Sequence, residues 1–259
     1  MSVAYFASDF HLGAPDKAQS KVREKSIVAW LEYASKDATD IYLVGDVFDF
    51  WFEYRHVIPK GYARLFGTIA RLSDQGIRFH FFYGNHDMWV KNYFEEELNM
   101  LTYPEPISLT MHGKKILLGH GDGLGPGDRG YKIIKKLLRN RWCQWAFARL
   151  HPNFGIALAS FFSGKSRESQ GNEHEFRGRE KEWLYLYSMD HQNHDPHDYY
   201  VFGHRHLPLK MNINHGVYYN LGEWINFSTF LKMDSPIPAF LRWNGQAAEP
   251  YEPQYDAAI

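Results

Sequence analysis

"RFHFFYGNHD", residues 78–87, is an apolar, aromatic run of strand length that ends in glycine and passes without a spacer into Asn85, His86 and Asp87. Such a run, bounded by a turn residue, reads as a buried strand with polar groups waiting at its end. The pattern recurs along the chain. "VAYFAS" leads to Asp9 and His11, "IYLVG" to Asp46 and Asp49, "KILLG" to His120, and "YYVFG" to His204 and His206. Between the first three runs lie "REKSIVAWLEYASK" (23–36) and "YARLFGTIARLSDQG" (62–76). The second has Leu65, Ile69 and Leu72 at helical spacing and Gly76 at its end, so both read as helices. Strand–helix alternation predicts an α/β fold, and ligands of such folds gather at strand ends. All five polar clusters should therefore meet along one edge. "HGVYYNLGEW" (215–224) and "PAFLRWNG" (238–245) read as further strands, and "AEPYEPQYDAAI" (248–259) as an extended or frayed tail.

The totals agree with a folded, ring-rich protein: 259 residues, 44% hydrophobic and 17% aromatic, enough for a proper core. A net charge of -1 argues against a general polyanion binder, and no nucleic-acid partner is expected. The single cysteine, Cys143, excludes an internal disulfide and a multi-thiolate metal site, and points to a reducing compartment. The start "MSVAYFASDF" lacks the pattern of a signal peptide, and no stretch approaches the roughly 20 apolar residues of a membrane span. The charge is unevenly spread. Between Arg129 and Arg167 there are nine basic residues and no acidic one, which leaves 20 basic against 30 acidic residues elsewhere.

That basic stretch also breaks the strand–helix rhythm. "YKIIKKLLRNRWCQWAFARL" (131–150), "FGIALASFFSG" (154–164) and "EFRGREKEWLYLYSMDH" (175–191) all read as helical. A helical insertion over the strand edge, about 125–195, within a single domain spanning 1–259, is the expected organisation. Two readings of Ile134, Leu137, Leu138, Trp142 and Trp145 stay open. They pack against the sheet with the basic residues solvated, or they meet an anionic headgroup boundary, where rings and long basic stems both suit.

Each cluster alone is weak, since an Asp-x-His is usually a turn and the chain holds 14 histidines. Their order and their shared position at strand ends carry the argument. Imidazole, carboxylate and amide oxygen without thiolate suit Mn²⁺, Fe²⁺ or Zn²⁺. Two such ions about 3.5–4 Å apart can clamp a phosphoryl group for in-line attack.

"SDFHLG", "GDVFDFW", "GNHD", "GHGD" and "GHRH" resemble, in order, the five blocks of the calcineurin-like metallophosphoesterases. The resemblance implies a β-sandwich flanked by helices, with two divalent metal ions. It places Asp9, His11 and His206 on one metal, Asn85, His120 and His204 on the other, and Asp46 between them. His86, oriented by Asp49, would face the phosphate. "GDVFDFW", "HGDGLGPGDRGYK", "GHRHLP" and "NLGEW" further resemble the UDP-2,3-diacylglucosamine pyrophosphatases of lipid A synthesis, and the 84 positions from His120 to His204 leave room for that family's helical insertion. The implied reaction cleaves the pyrophosphate of UDP-2,3-diacylglucosamine, usually with Mn²⁺, at the cytoplasmic face of the inner membrane, with membrane contact through the basic insertion and no obligate protein partner. Motif matching adds Asp128 and Tyr131 as head-group contacts and aligns Lys165, Ser166 and Arg167 with a substrate-binding stretch. Familiar members of that family carry arginine in place of His86 and glutamate in place of Asp49. Another phosphodiester or nucleotide substrate, and a non-catalytic scaffold of the same fold, are the alternatives.

Overall fold

Consecutive residues of the five apolar runs face two different cores, which is why the runs lack polar alternation. In the computed structural model, which describes residues 2–126, 129–159 and 175–253, Ala4 and Phe6 of β1 (Ala4–Ala7) point to one apolar cluster and Tyr5 and Ala7 to another. β2 (Asp40–Leu43) repeats the division, with Tyr42 on one side and Ile41 and Leu43 on the other. A period-two strand buried on both faces reads as a near-continuous apolar run.

Two sheets result. α1 (Lys17–Ala34) follows β1, α2 (Ala63–Asp74) follows β2, and β3 (Arg78–Phe82), α3 (Tyr93–Leu98) and β4 (Leu101–Tyr103) come next. β1 to β4 run parallel in that order. β5 (Ile107–Met111) and β6 (Lys114–Gly119) form a hairpin in the second sheet, where β6 pairs in parallel with β7 (Tyr199–Phe202). Next to β7 lies β9 (Gly216–Asn220), and β8 (Leu209–Ile213) is the far edge. β10 (Thr229–Met233), β11 (Ala239–Trp243) and β12 (Ala248–Pro250) return to the first sheet, whose order is β12-β11-β10-β1-β2-β3-β4. Residues 248–250, expected as part of a tail, are thus an edge strand paired with β11.

The layers follow from the clusters. Phe6, Tyr42, Phe82, Leu118, Val201 and Tyr219 fill the space between the sheets. Trp30 and Leu31 of α1 and Leu65, Ile69 and Leu72 of α2 cover the outer face of the first sheet. Leu184 and Tyr185 of α7 (Trp183–Gln192) cover the second. The expected β-sandwich flanked by helices is the observed fold.

The remaining helices lie between β6 and β7: α4 (Arg129–Leu138), α5 (Arg141–Phe147) and α6 (152–159), before a 3₁₀ turn at Arg179–Lys181 and α7. The run 131–150, read as one helix, is two, because Asn140 caps α5 by accepting from Trp142 N at 2.8 Å. No side chain from 132 to 150 is buried. Ile134, Leu137, Trp142 and Trp145 are exposed by 53%, 58%, 77% and 55%, so packing against the sheet is not their role. Among the described residues, no helix is long and apolar enough to cross a membrane.

At the start of β2, away from the clusters, buried Asp40 accepts from Arg78 Nε and Nη2 at 2.8 Å each and from His80 Nε2 at 2.9 Å. Burial opposes its charge, yet His80 and Arg78 outweigh it and hold the carboxyl well below its usual range. A depressed folded-state value stabilises the fold above the unfolded-state value of about 4 and loses that contribution as pH falls. Asp40→Asn is expected to cost about 2 kcal/mol in urea unfolding at pH 7, with the gap to wild type closing on acidification below about pH 4. An equal gap at pH 7 and pH 3 would remove the charge from the explanation.

Candidate metal centre

All five clusters lie at the C-terminal ends of parallel strands. Asp9 and His11 follow β1, Asp46 and Asp49 follow β2, and Asn85 and His86 follow β3; His120 follows β6, and His204 and His206 follow β7. The site therefore straddles the rim where the two sheets open. Asp9, His11, Asp46 and His206 bring their ligand atoms within 4.8 Å of one another, and so do Asp46, His120 and His204. Asp46 belongs to both groups. Asn85 joins the second group through Oδ1, 3.2 Å from His120 Nε2. His11, Asp49 and His86 form a third, overlapping set on one flank.

The backbone makes this convergence at a cost. Asp9, His11, Asp46, His204 and His206 all have φ between 45° and 65°. They are five of the ten non-glycine residues with positive φ among the described residues. Left-handed backbone disfavours side chains, and strain of this kind gathers where geometry is held for chemistry.

Each carboxylate divides its oxygens. Asp46 Oδ1 accepts from His86 N at 2.9 Å, and Asp9 Oδ2 accepts from His204 N at 3.0 Å. The other two, Asp46 Oδ2 and Asp9 Oδ1, are buried and accept no well-formed hydrogen bond. They point instead toward imidazoles: His120 Nε2 is 3.3 Å from Asp46 Oδ2, and His206 Nε2 is 3.2 Å from Asp9 Oδ1. His11 Nε2 and His206 Nε2 approach to 3.0 Å. The close approach depends on glycine. A Cβ on Gly84 would fall 2.1 Å from Asp46 Oδ1, and one on Gly203 would fall 2.5 Å from Asp9 Oδ2.

The electrostatics ask for a cation. Burial pushes His11 and His204 down to about 4, which keeps both neutral and able to ligate. Burial also works against a charge on His120, but Asp46 and other nearby carboxylates overcome it and raise that ring to about 10. Asp46 itself stays well below its usual range against the pull of burial, because His120 and His86 lie close. A carboxylate set that forces a proton onto a buried imidazole would accept a divalent ion in its place. His120 Nδ1 donates to the Val44 carbonyl at 2.9 Å, which leaves Nε2 with the lone pair that a metal needs. The residues fit the metals.

His86 is held similarly, donating from Nδ1 to the main-chain carbonyl of Asp49 at 3.0 Å. Any proton it gains or loses is therefore at Nε2. The Asp49 carboxylate lies 3.9 Å from His11 Nδ1. Asp128, Lys165, Ser166 and Arg167 lie outside the described residues, as does the side chain of Tyr131.

Three further residues support the ligands. Buried Asp87 accepts from Gly84 N at 2.9 Å, Asp46 N at 3.2 Å, Val47 N at 2.8 Å and Phe48 N at 3.3 Å, which ties two ligand loops together. Burial and then Asp46 push its carboxyl up to about 7, against the Gly84 and Phe48 donors and nearby His120. Arg205, between the ligand-type His204 and His206, forks onto buried Glu182 at 2.9 and 3.0 Å and so fastens the start of α7 to that loop. Glu182 sits in "REKEW", which carries no signal of a buried ion pair.

A family model for calcineurin-like phosphoesterases matches residues 4–208. The chain belongs to the calcineurin-like phosphoesterase family. The metal-dependent hydrolase class expected from the motifs is thereby borne out. This phosphoesterase is 37% identical over 247 residues to the UDP-2,3-diacylglucosamine hydrolase of Porphyromonas gingivalis, covering 90% of this chain and 94% of that one. It is 30% identical over 164 residues to the enzyme of the same name from Aeromonas salmonicida, covering 62% of each. Among solved structures, Yfce, a phosphoesterase from E. coli, aligns with a TM-score of 0.46 at 16% identity, over 95% of this chain and 96% of that one.

Proposed function

We propose that this phosphoesterase cleaves the pyrophosphate of UDP-2,3-diacylglucosamine, releasing UMP and 2,3-diacylglucosamine 1-phosphate. The observation that carries the reading is the pair of ligand groups sharing Asp46, in a chain whose relative of that name matches it over nearly its full length. Asp9, His11, Asp46 and His206 would hold one divalent ion, and Asp46, Asn85, His120 and His204 the other, with Mn²⁺ the expected metal. Bound there, the ions supply Lewis-acid charge to the phosphoryl group and lower the pKa of an attacking water.

The chain's own part is positioning and proton handling. His86 stands beside the ligand set, its ring 5.1 Å from that of His11, with Nδ1–H fixed by the Asp49 carbonyl. It would give charge or a proton from Nε2 to a phosphate oxygen. Residues 125–195 would form the family's insertion within one domain, with Asp128, Tyr131, Lys165, Ser166 and Arg167 as contacts to the substrate's polar part. The exposed Ile133, Ile134, Leu137, Trp142 and Trp145, interleaved with Lys132, Lys136 and Arg141, suit the acyl chains and the anionic face of a bilayer. The protein would work as a peripheral enzyme on the cytoplasmic face.

The test is incubation of purified protein with UDP-2,3-diacylglucosamine, detergent and Mn²⁺. UMP release that chelation abolishes is the expected result. No UMP with Mn²⁺, Fe²⁺, Zn²⁺ or Mg²⁺ would overturn the substrate. His86, in place of the arginine of familiar relatives, favours a second reading, because a histidine can protonate a leaving group. Turnover of simple nucleotide diesters without turnover of the lipid would select that reading.

A further inference from the structure

Among the described side chains of α4 and α5, residues 132–147, none is buried, so polar bonds and ring contacts set the place of these helices against the body. Polar attachments line α4: Lys132 Nζ donates to the Gly125 carbonyl at 2.6 Å, and Arg139, just past the helix, pairs with Glu105 and donates from Nη2 to the Pro104 carbonyl at 3.0 Å. At the C-terminus of α4, Trp89 Nε1 donates to the Leu138 carbonyl at 2.8 Å. That carbonyl is one of those a helix leaves without an internal partner, and Gln144 Nε2 of α5 also reaches it, at 3.4 Å. Nearer the middle, Lys135 Nζ reaches the Asp122 carbonyl at 2.7 Å and its Oδ2 at 2.6 Å, two residues beyond His120.

Trp89 is also the centre of an aromatic platform. Its ring lies 5.1 Å from Phe52, 6.1 Å from Phe50 and 4.9 Å from Phe147 of α5. Phe50 directly follows Asp49, and Trp89 comes three residues after His86. The two loops are joined by main-chain bonds from Trp51 N to the His86 carbonyl at 3.2 Å and from Glu53 N to the Trp89 carbonyl at 3.4 Å. The loops that carry Asp46, Asn85 and His86 therefore continue directly into the surface that seats α4 and α5.

We infer that Trp89 is a positioning residue that registers the α4–α5 pair over the metal centre, with Lys135 as its second anchor. The inference rests on the proposed lipid substrate only for what the helices grip. The helices' attachment is independent of it. Without the indole N–H, α4 keeps its sequence and its apolar surface but loses the 2.8 Å bond that ties Leu138 to the body.

Trp89→Phe keeps a ring in the platform and removes the donor. Hydrogen exchange across 132–138 is expected to quicken about fivefold, the equivalent of one lost hydrogen bond, while β1, β2 and β3 stay protected. KM for UDP-2,3-diacylglucosamine should rise by a similar factor with kcat unchanged. Hydrolysis of bis(p-nitrophenyl) phosphate, which has no tail to grip, should not change. Lys135→Met should show the same split. Unaltered exchange at 132–138 overturns the assignment, and so does an equal fall in kcat for both substrates, which would mean that the His86 loop itself had moved. If wild type fails on the lipid, the substrate reading falls, while the exchange measurement still decides the role of Trp89.

Discussion

Asp46→Ala is expected to abolish both the metal centre and turnover. Asp46 is the one residue common to both ligand groups, and its Oδ2 is buried without a well-formed hydrogen bond. Its Oδ1 also accepts from His86 N, so the substitution frees the His86 loop as well. Elemental analysis should find metal falling from two equivalents to one or none, and kcat/KM should fall by at least about 10³-fold, corresponding to about 4 kcal/mol of lost charge stabilisation. Full occupancy by two ions in the purified variant would show that Asp46 is not the shared ligand. The fold should survive, because the apolar clusters that hold β1, β2 and β3 do not include Asp46. Circular dichroism on the same sample checks this.

His86→Ala is expected to separate binding from chemistry. The ring lies beside the ligand groups that share Asp46, and its Nδ1 is engaged by the Asp49 carbonyl. Both metals should remain, while kcat falls about 10²- to 10⁴-fold, the span of a lost general acid or charge donor. An apo protein would make His86 a ligand. Its main-chain N–H, which braces Asp46 Oδ1, survives truncation of the side chain, so loss of metal could not be ascribed to that bond. His86→Arg asks a separate question, because arginine stabilises charge without donating a proton at neutral pH.

Much of this centre can be read before any coordinates. The runs ending at Ser8, Gly45, Gly84, Gly119 and Gly203 are legible because each strand serves two cores and is largely apolar, the buried Asp40–His80 pair aside. The glycines are legible as punctuation, but their purpose is not: that Gly84 and Gly203 make way for carboxylates of neighbouring loops depends on a packing between strands distant in sequence. Strands with one solvated face escape the same reading. β8, "LKMNI", alternates buried and exposed residues over only five positions, and β12 is three residues long. The break between α4 and α5 turns on a single cap at Asn140 inside an otherwise unbroken helical period. Asp87 is a similar case. Next to His86 it reads as a turn residue, and it does accept from Gly84 N, but it accepts as well from the main chain of the Asp46 loop, some forty positions away.

The left-handed backbone at Asp9, His11, Asp46, His204 and His206 also bears on descent. Strained side-chain-bearing positions persist only while something repays them. A descendant that kept this fold as a scaffold and abandoned hydrolysis would be free to place glycine at these five positions, since glycine holds such angles without steric cost. This chain has drifted at none of them. Each of the five still carries a side chain of metal-ligand type.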